Sequence, residues 1–138
     1  LRRRTSVPII WDELALNEAD ILQIASDDGA EGIGLKISKN GGLTKCRRQR
    51  DICLAAGYTM SIQDTTGSDI AFAAIVHLGQ TLPKKYLRCI LDCRDMVTVK
   101  TADGEFEVTN GFVSAPKSFG LGITPRIDVL GQPLVSYG

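Results

Sequence analysis

Four short apolar runs, each separated from the next by a helical pattern, constrain this chain more than any other feature. Val7–Trp11, Gly32–Ser38, Tyr58–Gln63 and Leu87–Asp92 read as strands. The first, Val7–Trp11, is nearly continuous in its apolar residues, which fits a strand covered on both faces. The first helix opens at Asn17-Glu18-Ala19-Asp20, with Asn17 as N-cap, carries Leu22 and Ala25 on its apolar stripe, and stops at Asp27-Asp28-Gly29. The second runs from Leu43 to Ala56 and ends at Gly57. Ser68 caps a third, Asp69–Gln80, whose Ala and Ile content marks it as buried. Strand and helix taking turns is the signature of right-handed βαβ units around a parallel sheet, an α/β fold.

After Met96 the texture changes. Val97–Lys100, Glu105–Thr109 and Gly111–Val113 read as short strands broken by turns at Ala102-Asp103-Gly104 and Asn110-Gly111. Gly120–Pro125 reads as loop, and Arg126–Leu130 as one helical turn. Four parallel strands with their helices make half of an eight-stranded (β/α) barrel. Half a barrel leaves two open edges and an uncovered apolar face. The pattern, and the abrupt start at Leu1-Arg2 without an initiator Met, are those expected of a fragment.

The 138 residues are one domain's worth, and at 43% hydrophobic they can bury a core. Sixteen basic and sixteen acidic residues cancel, so no field draws the chain to nucleic acid or an anionic membrane. Arg2-Arg3-Arg4, the one basic cluster, reads as the exposed end of a helix. Cys46 and Cys53 lie two helical turns apart on one face. Neither they nor Cys89 and Cys93 have zinc-site spacing, and the lone His77 adds no ligand cluster. Four free thiols in a reducing, cytoplasmic setting are expected. Neither a signal peptide nor an apolar run of membrane-spanning length is evident.

Several residues at strand ends can carry chemistry. Asp12, after the first strand, either ligates a hard cation such as Mg²⁺ or helps the next helix begin. Glu13 points elsewhere, and its functional reading is to steady a ligand from behind. Lys36, between Leu35 and Ile37, is either a snorkelling rim lysine or a base whose pKa a nearby divalent cation would lower. Lys39 reads as rim or solvent-facing. Gly41-Gly42 allows a tight turn into the second helix. Asp64 and Asp92 end the third and fourth strands, where they either grip a cationic substrate group or serve as a turn cap and a rim ion pair with Arg94. His77, inside the Ala/Ile helix, reads as structural. A lysine and a carboxylate on successive parallel strands point into one space, as in a (β/α)-barrel active site.

Together these segments resemble the C-terminal half of the enolase superfamily, in its mandelate racemase/muconate lactonizing enzyme family. Pro8-Ile9-Ile10-Trp11-Asp12-Glu13 is similar to the fifth barrel strand, Gly34 to Thr44 to the sixth, Ser61 to Ser68 to the seventh, and Leu87 to Asp92 lies where the eighth belongs. Arg2-Arg3-Arg4-Thr5 would end the fourth helix. The resemblance implies a partial barrel over residues 1–96, strands five to eight, and a C-terminal extension over 97–138 that returns toward a capping domain. Gly34-Leu35-Lys36-Ile37-Ser38-Lys39-Asn40-Gly41-Gly42-Leu43-Thr44-Lys45, the Arg-Gln-Arg-Asp that follows, and Gln63-Asp64-Thr65-Thr66-Gly67 look most like cis-3-hydroxy-L-proline dehydratases and related amino-acid enzymes. The implied chemistry is abstraction of the proton alpha to a carboxylate, with Mg²⁺ steadying the product of that step. On this resemblance Lys36 is the catalytic acid/base, Asp12 the metal ligand with Glu13 behind it, and Asp64 or Asp92 the holder of a substrate ammonium.

The resemblance also implies what these residues lack. A lysine pair on the second strand, two further metal carboxylates and the capping domain belong to the N-terminal half. The expectation is therefore a chain inactive alone but catalytic, as a homo-oligomeric lyase, in its full-length parent. Without a histidine ending the seventh strand, the branch that uses a His base is disfavoured. An amino-acid or dipeptide racemase and a non-catalytic half-barrel binding module are the rival readings.

Overall fold

The computed structural model describes all residues except Leu1, Thr66, Glu105 and Gly138. Four strands form one sheet in the order β1-β2-β3-β4, every neighbouring pair parallel: β1 Ile10–Trp11, β2 Gly32–Lys36, β3 Thr59–Gln63 and β4 Leu87–Leu91. The crossovers are α1 Glu18–Ser26, α2 Gly42–Ala55 and α3 Asp69–Gln80. This is the C-terminal half of a TIM-type barrel, as the repeat implies.

Local chemistry explains where the helices start. Asn17 Oδ1 accepts from the amides of Ala19 and Asp20, and Asp20 Oδ2 accepts from the Asn17 amide at 3.1 Å, a complete capping box. Ser68 Oγ accepts from Ala71 N at 3.0 Å at the start of α3. The start of α2 has no side-chain cap. There Gly41 and Gly42 turn the chain with φ of 90° and 88°, which a residue with a Cβ adopts only under strain.

The core lies between the sheet and its helices. Ile33 and Leu35 of β2 and Met60 and Ile62 of β3 are fully buried with Ile21, Cys46, Cys53, Phe72 and Ile75. The alternate positions, Gly32, Gly34 and Lys36 on β2 and Thr59, Ser61 and Gln63 on β3, take the concave face. Small and polar residues there leave room for a site while the helix-facing residues bury the apolar surface.

Several elements differ from the sequence reading: β1 starts at Ile10 rather than Val7, and over 106–109 and 111–113, read as strands, only the Thr109–Phe112 bridge forms among the described residues. β2 stops at Lys36 rather than Ser38, because Asn40 N returns to Lys36 O at 2.7 Å and Asn40 Oδ1 accepts from Lys36 N at 3.0 Å. Ala102–Gly104, read as a turn, is strand β5, and Ile123–Pro125, read as loop, is its antiparallel partner β6. Asp69 anchors β5: its Oδ2 accepts from Thr101 N at 2.7 Å and Ala102 N at 3.3 Å. Val97–Lys100 is not a strand. The Asn110-Gly111 turn is present, with Thr109 and Phe112 exchanging both backbone bonds and positive φ at both turn residues. α4, Ile127–Leu130, is the helical turn expected near the C-terminus.

Candidate active site

The C-terminal ends of β1 and β2 bring two lysines against two carboxylates. Lys36 Nζ lies 3.0 Å from Asp12 Oδ2 and also bonds Glu13 Oε1. Lys39 Nζ donates to the main-chain oxygen of Asp12 at 2.6 Å and sits 3.3 Å from Asp12 Oδ1 and 3.6 Å from Glu13 Oε2. The Lys36 and Lys39 side chains keep only 13% and 15% of their exposure, whereas their partners Asp12 and Glu13 keep 37% and 70% and stay open to water. The β2–α2 turn lifts Lys39 back over the strand end, which corrects its reading as a rim residue.

The charge balance sets the proton affinities. The hydrogen bond that Lys36 donates to Glu13 is the main cause that holds its ammonium above the ordinary pKa; burial opposes it and Asp12 adds to it. That same bond, with Lys39 nearby, holds Glu13 below the usual carboxylate range. The sequence reading expected a lysine lowered by a neighbouring cation. Against two carboxylates the shift runs the other way, since each favours the charged amine.

Asp12 and Glu13 are hard oxygen donors of the kind Mg²⁺ takes, and Asp12 lies over a floor that Gly34 leaves bare. The donor set fits part of a magnesium site. Among the described residues no group of three or more His, Cys, Asp or Glu is placed to hold a metal by itself.

The other two acids differ in their surroundings. Asp64 follows β3 and is 6% exposed. Its one oxygen accepts from Thr65 N at 2.7 Å, while Oδ2 is buried without a donor among the described residues. Asp92 follows β4, and Arg94 occupies both of its oxygens, Nε on Oδ1 at 2.9 Å and Nη2 on Oδ2 at 2.7 Å. The guanidinium stacks 3.8 Å from the centre of the Phe72 ring. The Arg94 bonds hold Asp92 below the usual range. Ser38 and Thr65 hydroxyls bond each other and join the loops after β2 and β3. Gly67 lets the next loops touch, for a Cβ there would lie 2.1 Å from Cys93 O. His77 is structural, its Nε2 3.1 Å from Leu121 O.

Asn40 and Gln49, 2% and 0% exposed, escaped the sequence reading. A signal for Gln49 existed: it lies three residues after Cys46 and four before Cys53, on the buried face of α2. Asn40 sits in a turn sequence where an exposed Asx residue is the ordinary expectation.

A parallel half-barrel with a lysine and a carboxylate at adjacent strand ends has the arrangement found where (β/α) barrels place their active sites. The chain belongs to the enolase C-terminal domain-like family, whose model matches residues 1–129. It is 41% identical over 137 residues to the cis-3-hydroxy-L-proline dehydratase of Roseibium aggregatum, covering 99% of this chain and 37% of that protein. A structure from Aspergillus oryzae named as a mandelate racemase/muconate lactonizing enzyme superposes with a TM-score of 0.93 at 68% identity, over 99% of this chain and 38% of that one. A similarly named structure from Roseovarius nubinhibens ISM, complexed with magnesium, gives 0.94 at 46% identity, over 99% and 38%. The chain thus spans little more than a third of the length of these relatives. Among its described residues no helix is long and apolar enough to cross a membrane, and all four cysteines are free.

Proposed function

We propose that this chain forms the fifth to eighth strands of a magnesium-dependent dehydratase that removes water from cis-3-hydroxy-L-proline. The observation that carries the reading is the Lys36–Asp12 pair at 3.0 Å, on neighbouring strands of a fold whose family consists of enzymes. The similarity to a named hydroxyproline dehydratase supports the substrate, and the magnesium complex of a similar structure supports the metal.

Asp12 would contribute to the magnesium site, with Glu13 holding the two lysines beside it and the remaining ligands supplied by the N-terminal half of the barrel. Bound there, Mg²⁺ would supply positive charge opposite the substrate carboxylate and make the neighbouring proton acidic. With that charge bound beside Asp12, the carboxylates that otherwise keep Lys36 protonated would be offset, and Lys36 as free amine would take the proton from the carbon alpha to the carboxylate. The electron pair left on the alpha carbon forms the double bond to C3 as the C3–O bond breaks, and the proton taken up by Lys36 balances the departing hydroxide, so that water leaves and the amine is restored. The Asp64 oxygen that has no donor among the described residues would receive the substrate ammonium; Asp92, already held by Arg94, is the second candidate. Free thiols suit a reducing cytoplasm.

The test is turnover of cis-3-hydroxy-L-proline with Mg²⁺ by the full-length parent, with and without Lys36→Ala. Removing a general base is expected to cost about 10²–10⁴-fold in rate. Undiminished turnover by Lys36→Ala would refute the role of Lys36. Exchange of the alpha hydrogen with deuterated solvent, without loss of water, would identify an epimerase instead.

A further inference from the structure

Lys36 and Asp12 sit on different strands, and each is followed by its own loop. The geometry of the pair therefore depends on what fixes one loop against the other. Lys39 Nζ grips Asp12 O at 2.6 Å, but a lysine amine on a flexible stem is a weak ruler. A stiffer connection lies directly beneath. Asn40 Oδ1 accepts from Lys36 N at 3.0 Å, and Asn40 Nδ2 donates to Ala15 O at 2.7 Å, in the loop three residues beyond Asp12. The same Nδ2 donates to Gln49 Oε1 at 2.8 Å, and Gln49 Nε2 returns to Asn40 O at 3.2 Å. One buried amide thus touches the backbone of both loops, and a second amide from the middle of α2 fixes its orientation.

We propose that Asn40, oriented by Gln49, is a positioning residue that locks the Lys36 loop to the Asp12 loop and so sets the distance between base and metal ligand. The inference rests on the reading of Lys36 and Asp12 given above. Every polar atom of the Asn40 side chain is used, and all its partners are backbone groups or Gln49. An amide serving only packing would not need a backbone donor on one loop and a backbone acceptor on the other. Burial makes each bond costly to leave unmade, so the arrangement tolerates one geometry only. Supports of this type around a metal ligand typically carry 10–100-fold in activity or metal affinity.

The experiment uses the full-length enzyme and three variants: Asn40→Ala, Gln49→Leu and Gln49→Glu. Glutamate keeps the acceptor for Asn40 Nδ2 and, protonated at this fully buried position, also keeps a donor for Asn40 O, whereas leucine removes both. Three quantities are read below the melting temperature of each variant: kcat and KM, Mg²⁺ affinity by calorimetry, and amide hydrogen exchange in residues 12–16 and 36–40. Asn40→Ala is expected to lower kcat about 10–100-fold with KM within about threefold, and to weaken Mg²⁺ binding about 10-fold. Exchange should quicken in both loops together and not across the sheet. Gln49→Glu should retain most of kcat, and Gln49→Leu should not. Asn40→Ala with unchanged kcat, Mg²⁺ affinity and loop exchange, whatever its melting temperature, would overturn the proposal; so would faster exchange confined to the Lys36 loop. If the wild type neither turns over hydroxyproline nor binds Mg²⁺, the functional reading fails, and paired or unpaired loop exchange still decides whether Asn40 couples the loops.

Discussion

Gly34 lies directly beneath Asp12. A Cβ on Gly34 would stand 3.3 Å from both Cγ and Oδ1 of the Asp12 carboxylate and 2.8 Å from Gln63 Nε2. The Gln63 amide is the end of a flexible side chain and can move. The Asp12 carboxylate cannot move without disturbing its bonds to Lys36 and Lys39. Gly34→Ala in the full-length enzyme is therefore expected to weaken Mg²⁺ binding about 10-fold while the melting temperature changes by no more than about 4 °C. Calorimetric titration and a thermal melt decide it; unaltered Mg²⁺ affinity would show that the bare floor under Asp12 has no role in the site.

Asp64 and Asp92 end successive strands, yet only Asp64 leaves a buried oxygen without a donor among the described residues. If that oxygen receives the substrate ammonium, Asp64→Asn should raise KM about 10–100-fold, the loss of a charged hydrogen bond. Asp92→Asn breaks the pair with Arg94 instead, and should leave KM within about twofold while lowering the melting temperature. Steady-state kinetics on both variants separates them. A larger KM effect from Asp92→Asn would reverse the assignment.

Asp69 ties the C-terminal hairpin to α3, with Thr101 N, Thr101 Oγ1 and Ala102 N all on its Oδ2. Burial is the largest single influence and pushes its carboxyl up, but the combined hydrogen bonds outweigh it and hold Asp69 below its ordinary value. A lowered folded pKa means stability that is present above the unfolded value of about 3.9 and is lost as pH falls through the folded one. The gap in stability between wild type and Asp69→Asn should be about 1–2 kcal/mol at pH 6 and should close below about pH 3.9. Urea melts across that range measure it. A gap independent of pH would mean that the charge of Asp69 contributes nothing.

The strand–helix repeat was legible because each strand is a short run with apolar residues toward the helices, and because α1 and α3 carry their own start signals at Asn17 and Ser68. Lys36 and Asp12 could be paired from sequence because both end successive parallel strands. The tail was not legible: β5 and β6 are separated by eighteen residues of chain, 105 to 122, and β5 is held by a side chain on α3. No local pattern announces a contact of that kind. Lys39 and Asn40 escaped for a related reason. Their positions follow from the left-handed turn at Gly41-Gly42, which folds the loop over the Asp12 backbone.

The four thiols should differ sharply in reactivity. Burial pushes Cys53 up to about 12 and Cys46 up to about 11, and both side chains are fully enclosed. Burial raises Cys93 as well. Cys89 is exposed on β4, the edge strand of the sheet. The thiolate is the reactive form, so in the folded 138-residue chain at pH 8 iodoacetamide should label Cys89 first and spare Cys46 and Cys53. Peptide mass spectrometry over a time course reads the order. In the full-length parent, strands from the N-terminal half would cover β4 and slow Cys89 too. Equally fast labelling of Cys89 in both would mean that β4 remains an open edge and that the barrel is not closed there.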